Sequence, residues 1–292
     1  MTQKLSLVLS LFFLSVFCSS LSAEERIAYS GLFEGYWQLW TVSPDGSNRK
    51  KITQSPFDKR EPAWIHNGRG LVFRTNNGEV WMVDLESGTE ERILTNYPVL
   101  HNPHYCDATG EMIFVRLVPS PDGGSFIWKT NLEDKYPVVL TREGVLKYQP
   151  SFSWQCDKIV FVKADLTSAS HHIWIMDADG KNQEQVTAGE GFFTLPAFSP
   201  DQKTLVMTAA RNTDDYDIYT LDLKDKTLTR LTQEPGLDTH ANFSPDGESI
   251  VFVSNRTGSQ QIWSMDKNGR NLKQITPGPE ECVAPVWSRV DM

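Results

Sequence analysis

The sequence predicts an all-β chain, a six-bladed β-propeller closed by pairing of the N- and C-terminal strands in the first blade. Three regularities predict it. A threonine preceded by an aliphatic residue recurs as Thr53, Thr95, Thr141, Thr187, Thr232 and Thr276, in steps of 42, 46, 46, 45 and 44 residues. An aromatic, Trp40, Trp81, Trp128, Trp174, Tyr219 or Trp263, stands thirteen residues before each threonine, fourteen in the second repeat. Nine residues separate Trp64 from Phe73, Tyr105 from Phe114, Phe152 from Phe161, Phe198 from Met207, and Phe243 from Phe252. A repeat of roughly 40–50 residues holding four short strands is the pattern of a propeller.

The stretch from His240 to Thr276 gives the elements of one repeat in order. Ala241 to Ser244 reads as a first strand, and Pro245-Asp246-Gly247 as a tight turn. Ile250 to Ser254 is an alternating second strand, and Gln261 to Met265 a third. Asp266 to Gly269 is another turn, and Leu272 to Thr276 a fourth strand. Asp and Asn bond back to their own backbone and Gly accepts positive φ, which gives these turns a mechanism. One such unit cannot bury both faces alone, so its apolar residues must pack between neighbours. The chain begins inside a repeat, at Arg26-Ile27-Ala28-Tyr29, and ends on a first-strand pattern at Ala284-Pro285-Val286-Trp287-Ser288. The last strand would then complete the first blade and leave no open edge.

Residues 1–23 read as a signal peptide, with Lys4, an apolar run from Leu5 to Phe17, and Ser20, Ser22 and Ala23 before Glu24. The run is too short for the roughly 20 residues a spanning helix needs. Cleavage after Ser22 or Ala23 is expected. Lipid attachment at Cys18 would need a small residue where Phe17 stands. Residues 24–292 form one propeller domain. Removing residues 1–23 takes away Lys4 and no acid, leaving 27 basic and 37 acidic residues, net −10. That balance argues against nucleic acid or an anionic membrane surface as partner. Cys106, Cys156 and Cys282 remain; Cys106 and Cys156 fall in equivalent turns of adjacent blades, where a disulfide is geometrically open.

The segments Phe243-Ser-Pro-Asp-Gly247, Ser254-Asn-Arg-Thr-Gly258, Ile262-Trp-Ser-Met-Asp266 and Lys273-Gln-Ile-Thr276 resemble the propeller repeats of the TolB family. Phe198-Ser-Pro-Asp201 and Ile173-Trp-Ile-Met-Asp-Ala-Asp-Gly180 are similar again. TolB is the periplasmic component of the Tol-Pal system of Gram-negative bacteria. The same repeat class occurs in the propellers of prolyl-oligopeptidase-type peptidases and of oligogalacturonate lyase. TolB carries an α/β domain ahead of its propeller, and here the first blade starts within a few residues of the expected cleavage site. The resemblance implies a periplasmic propeller, without that α/β domain, that binds a partner at its channel mouth. In the family that partner is the lipoprotein Pal.

In a four-stranded blade the loops after the second and fourth strands emerge on one face, and the second-to-third spacing is the variable one. It is 8 residues from Phe73 to Trp81 and 14 from Phe114 to Trp128. Recognition is expected on that face. Its inner rim is assigned to residues just before each first strand: Arg60 and Glu61, His101 and Asn102, Tyr148 and Gln149, Thr194 and Leu195, Thr239 and His240, Val283 and Ala284. Outside them lie Phe33, Tyr36 and Trp37, then His171 and His172, then Asp214, Asp215 and Tyr216.

No Gly-x-Ser-x-Gly elbow or His-Glu-x-x-His pair is present, and no catalytic residue is assigned. Asp177-Ala-Asp-Gly180 and Asp266-Lys-Asn-Gly269 lack the downstream glutamate of a calcium loop and read as turns. No cofactor is expected; a metal held by His101 and His240, with His171 or His172, is the alternative, as a histidine-held ion serves the lyase fold. The expected function is an exported binding or scaffold module, monomeric, for an envelope protein or peptide such as a Pal-like lipoprotein. The alternative is a polysaccharide-active enzyme, lyase or hydrolase, using histidines and carboxylates on the same face.

Overall fold

The computed structural model describes residues 25–289 except 98, 119–123, 133–135, 166, 190 and 213–214, with the side chains of 211 and 212 also set aside. The expected signal peptide, residues 1–23, and Asp214 lie outside the described residues. The described chain forms strands joined by turns, with no helix among the described residues and therefore none long and apolar enough to cross a membrane.

The last full repeat shows how sequence becomes strand. Asp238–Phe243, Ser249–Ser254, Gln261–Asp266 and Lys273–Gln274 pair antiparallel in that order. Ile250, Phe252 and Val253 are fully buried, because both faces of this unit meet a neighbour. The turn at Ser244-Pro-Asp-Gly247 is held by Asp246, whose Oδ1 accepts from Ser244 Oγ at 2.5 Å and from the Glu248 amide at 2.9 Å. Gly247 sits at φ 71°, a conformation that disfavours a side chain. Ser199 and Asp201 repeat the device one unit earlier, at 2.7 Å.

The spaced aromatics meet across the second and third strands of every repeat: Tyr29 faces Trp40, Phe73 Trp81, Phe114 Trp128, Phe161 Trp174, Met207 Tyr219, and Phe252 Trp263. Six apolar clusters result among the described residues, five of them built from two successive repeats. One joins Ile65 and Val72 to Tyr105 and Phe114. Another joins Ile27 and Tyr29 near the N-terminus to Val251, Val253 and Ile262 near the C-terminus. Each large side chain taken fully from water contributes about 1.5–3 kcal/mol, and neither member of a cluster can be covered without its neighbour.

Four sheets have four strands. One of them places Cys282–Trp287 beside Ile27–Phe33, followed by Tyr36–Val42 and Lys50–Lys51. The fourth and fifth repeats form one eight-stranded sheet, because a parallel bridge links His171 to Phe192. The His171 amide donates to the Gly191 carbonyl at 3.0 Å, and the His171 ring lies 4.1 Å from that of Phe192.

Five of the closing threonines are buried and accept an amide of the adjacent third strand: Thr53 from Leu39, Thr141 from Ile127, Thr187 from Ile173, Thr232 from Ile218 and Thr276 from Ile262, all at 2.8–3.1 Å. The second repeat departs. Trp81 pairs with Arg92, so Leu94 takes the closing position, at φ 54°, and Thr95 is exposed. The fourteen-residue spacing in that repeat marks this one-residue shift.

Cys106 and Cys156 are joined, with Cα atoms 6.1 Å apart, and Cys282 is a buried free thiol. The bridge ties the third repeat to the fourth across the cluster that holds Ile113 and Phe161. With 50 residues in the closed loop, the loss of chain entropy in the unfolded state corresponds to about 4 kcal/mol. Replacing both cysteines by alanine should lower the unfolding free energy by a few kcal/mol in urea titrations, and reductant should then have no further effect. An unchanged midpoint would show that the bridge carries no such constraint.

Candidate functional site

Each first strand breaks register after its opening residues. The breaks fall between Arg60 and Ala63, His101 and His104, Tyr148 and Ser151, Thr194 and Ala197, and Thr239 and Asn242. In the last strand the break lies between Val283 and Val286. The skipped pairs are Glu61-Pro62, Asn102-Pro103, Gln149-Pro150, Leu195-Pro196, His240-Ala241 and Ala284-Pro285. The first residue of every pair has φ between 49° and 56°, a left-handed conformation that costs a side-chain-bearing residue about 1–2 kcal/mol. Proline follows in five of the six because it has no amide to give to the ladder. Such bulges re-aim side chains.

Here they aim them at one point. A cavity of about 180 Å³ is lined by three successive residues from each of six strands: an upper layer of Glu61, Asn102, Gln149, Leu195, His240 and Ala284, then the Pro/Ala layer, then Ala63, His104, Ser151, Ala197, Asn242 and Val286. The rim residues therefore lie inside the first strands, at the bulges, and not before them as the sequence suggested.

Only the second member of each predicted rim pair lines the cavity. Arg60 turns away and stacks 4.2 Å over Trp37. His101 is not among the lining residues, and its Nε2 is buried without a partner. Tyr148 hydrogen-bonds His171. Thr194 donates to Gln149 Oε1 at 2.5 Å, and the Thr239 hydroxyl lies 3.0 Å from His240 Nδ1. His101 and His240 do not share the cavity wall. Among the described residues no three His, Cys, Asp or Glu side chains are grouped to hold a metal.

The upper layer is tied by a relay running from each repeat to the next. Glu61 Oε2 accepts from the Asn102 amide at 2.9 Å, Asn102 Oδ1 from the Gln149 amide at 3.2 Å, and Gln149 Oε1 from the Leu195 amide at 2.8 Å. Leu195 has no acceptor to continue it. Half of the mouth is thus an ordered polar arc, and the other half presents Leu195, His240 and Ala284. Arg74 holds the Glu61 carboxylate at 3.1 Å. Burial pushes the His240 imidazole down to about 4, with Glu61 opposing, and lowers His101, with Arg74 adding to the effect. His104, in the lower layer, is pushed by burial to about 3, helped by the Arg289 charge.

Outside the mouth, Tyr148, His171, Phe192 and Tyr216 form a half-buried aromatic arc with successive ring separations of 5.6, 4.1 and 6.3 Å. Tyr36 is exposed, Phe33 packs edge-on to Trp40 under Lys51, and Asp215 accepts from the Gly236 amide. His172 lies beside Phe193, tied to Thr187 rather than to the mouth. Sequence reasoning missed the lower layer and Arg289. The lower layer was legible, since a residue–proline step recurs in five of the six first strands.

The TolB beta propeller domain family matches residues 164–291. An uncharacterized protein of Agrobacterium fabrum is 38% identical over 175 residues, 57% of this chain and 52% of that protein. The dipeptidyl-peptidase 5 of Porphyromonas gingivalis is 42% identical over 41 residues, 14% of this chain and 6% of the peptidase. The matched stretches thus span about half or less of these curated relatives. Among solved structures, TolB from Acinetobacter baumannii superposes with a TM-score of 0.77 at 21% identity, covering 90% of this chain and 66% of that one. A putative TolB from Agrobacterium tumefaciens gives 0.72 at 18%, covering 87% and 88%. An oligogalacturonate lyase in complex with manganese gives 0.59 at 16%, covering 85% and 73%. These likenesses show the fold, that of a TolB-like β-propeller.

The histidine shifts set a pH dependence. The ordinary imidazole value is 6.5, while His240 in the folded protein takes its proton only near 4. Below about pH 6.5 the unfolded chain therefore binds more protons, and stability falls with pH until the folded pKa is reached. In urea titrations at roughly pH 7 and pH 4.5, His240→Gln should lose less stability on acidification than the unsubstituted protein. Equal losses would show that this imidazole is not held neutral.

Proposed function

We propose that this chain is a six-bladed propeller, closed in its first blade by the pairing of Ile27–Phe33 with Cys282–Trp287, that serves as an exported, TolB-like binding module. It receives an extended segment of an envelope protein at the axial mouth. The observation that carries the reading is the set of six bulges, which hold strained backbone in order to turn side chains toward one cavity. A volume of about 180 Å³ admits a few side chains and not a folded unit, so the partner must present a loop or a chain end. The polar arc from Glu61 to Gln149 suits backbone amides and basic side chains, while Leu195 and the aromatic arc suit an apolar anchor beside them.

The periplasm is the compartment we assign. The Cys106–Cys156 bridge supports it, since disulfides persist in oxidising compartments, and so does the apolar N-terminal segment. Closure is supported by the cluster joining the first and last repeats and by the terminal strand pairing. A polysaccharide-active enzyme on this fold is the competing reading, and the binding test separates the two.

Mature protein is used to capture partners from solubilised envelope, with and without chelator. A partner recovered equally in both arms, and bound at least 10-fold more weakly by His240→Ala or Glu61→Gln at unchanged melting temperature, is the expected result; tenfold corresponds to about 1.4 kcal/mol. Undiminished binding by both variants would move the site away from the mouth. No partner, together with depolymerisation of an acidic polysaccharide, would establish the enzymatic reading. Closure has its own check: deleting residues 284–292 should abolish cooperative unfolding near the original temperature, and a truncated protein that melts unchanged would remove the seam from the first blade.

A further inference from the structure

The axial cavity does not end at its lower layer. His104, Ser151 and Asn242 also line a smaller space of about 40 Å³ that continues away from Glu61, walled by Trp154, Trp287 and Arg289. All first strands run from the mouth toward this end, so Glu61 marks one end of the axis and Arg289 the other.

Arg289 is placed unusually for a guanidinium. Its centre lies 4.7 Å over the Trp154 ring, and that ring is fixed by its Nε1 donating to the Phe198 carbonyl at 3.1 Å. Among the described residues nothing hydrogen-bonds to Arg289 and no carboxylate pairs with it. Among the described residues Asp107 is the carboxylate whose charge favours it, and the Asp107 Oδ1 is taken by the Asn67 amide at 2.9 Å. Burial pushes the guanidinium down to about 10, as expected of a charge lacking a close counter-ion. A guanidinium seated over an aromatic face makes no hydrogen bond there, so its N–H groups stay available, and their fork matches a carboxylate with two parallel hydrogen bonds.

A second donor stands on the same wall. The Phe152 amide can only donate, so His104 Nδ1, 3.3 Å away, accepts. His104 is neutral, and its one proton therefore sits on Nε2, directed at Ser151 Oγ 3.2 Å away. The Ser151 hydroxyl hydrogen is then given to the Phe152 carbonyl over a long 3.4 Å, a weak bond that it can leave for a stronger acceptor. His104 being neutral, Arg289 supplies the positive charge of this wall.

We propose that the far end of the axis is a carboxylate-binding site, in which Arg289, seated over the Trp154 ring, grips the anion through its N–H groups and Ser151 turns its hydroxyl from the Phe152 carbonyl to add a hydrogen bond. The site is distinct from the mouth and does not depend on the partner reading. Its size admits one carboxylate-sized group, so the ligand is a small organic acid or the carboxylate end of a longer molecule.

The full chain is titrated with sodium acetate and, separately, with inorganic phosphate, each against chloride at constant ionic strength. The readouts are the NMR shifts of the Trp154 indole N–H and the Ser151 amide, and the melting temperature. Saturable shifts with acetate are expected, weakened at least 10-fold in Arg289→Gln and partly retained in Arg289→Lys, with both variants melting cooperatively. No shift beyond that of chloride, or the same acetate affinity in Arg289→Gln, would overturn the proposal. Tighter binding of phosphate than of acetate through the same residues would overturn the carboxylate assignment.

Discussion

A left-handed residue in the middle of a strand costs about 1–2 kcal/mol when it carries a side chain, and this chain holds six of them at equivalent places around one cavity. Strain of that kind persists only where the surroundings over-determine it. The surroundings here are the apolar clusters between repeats, which fix each sheet against the next, and the prolines, which have no amide to lose. Remove the inter-repeat packing and the bulges would relax into ordinary ladder. Remove the bulges and the inner strands would present alternating residues to the axis with no common layer.

The relay from Glu61 through Asn102 and Gln149 to Leu195 follows from the same geometry. A left-handed residue directs its side chain toward the next repeat, where the amide freed by that repeat's own bulge awaits an acceptor. Side chains that would otherwise be mobile at a mouth are thereby ordered before any ligand arrives. The cost of ordering them is met during folding, which leaves more of the contact energy for binding. Leu195, His240 and Ala284 make no such tie, so the mouth has an ordered side and an apolar, adaptable one.

Much of the fold was legible because propeller repeats are written redundantly. Six threonines, six third-strand aromatics and five nine-residue pairs reinforce one another, and the structure pairs those aromatics across the second and third strands of every repeat. The exception was legible too, since the extra residue between Trp81 and Thr95 is the place where Leu94 replaces threonine. The site was legible only to within a residue. Strand alternation says which residues face a neighbouring sheet, but a bulge shifts that parity by one, so of each rim pair only Glu61, Asn102, Gln149 and their counterparts reach the axis. Arg289 carried no signal, because its role depends on a cavity that only six strands together define. The Cys106–Cys156 bridge could be allowed from repeat equivalence, but it could not be assigned without coordinates.

Consecutive repeats are not joined alike. The third is bonded covalently to the fourth, and the fourth shares a hydrogen-bonded ladder with the fifth through His171 and Phe192. The fifth meets the sixth through a similar bridge of Tyr216 to Leu237, the other interfaces carry single backbone bonds such as Lys59 to Trp37 and Leu100 to Gly78, and the first sheet is completed by a strand from the far end of the chain. The covalent tie is what sets one pair apart: the third and fourth repeats are crosslinked, and the others are held by hydrogen bonds and packing. The mouth straddles that division. Asn102 and Gln149 stand on the crosslinked pair and Glu61, Leu195, His240 and Ala284 on the others, so a bound segment would act as a strut that ties the uncrosslinked repeats to the crosslinked ones.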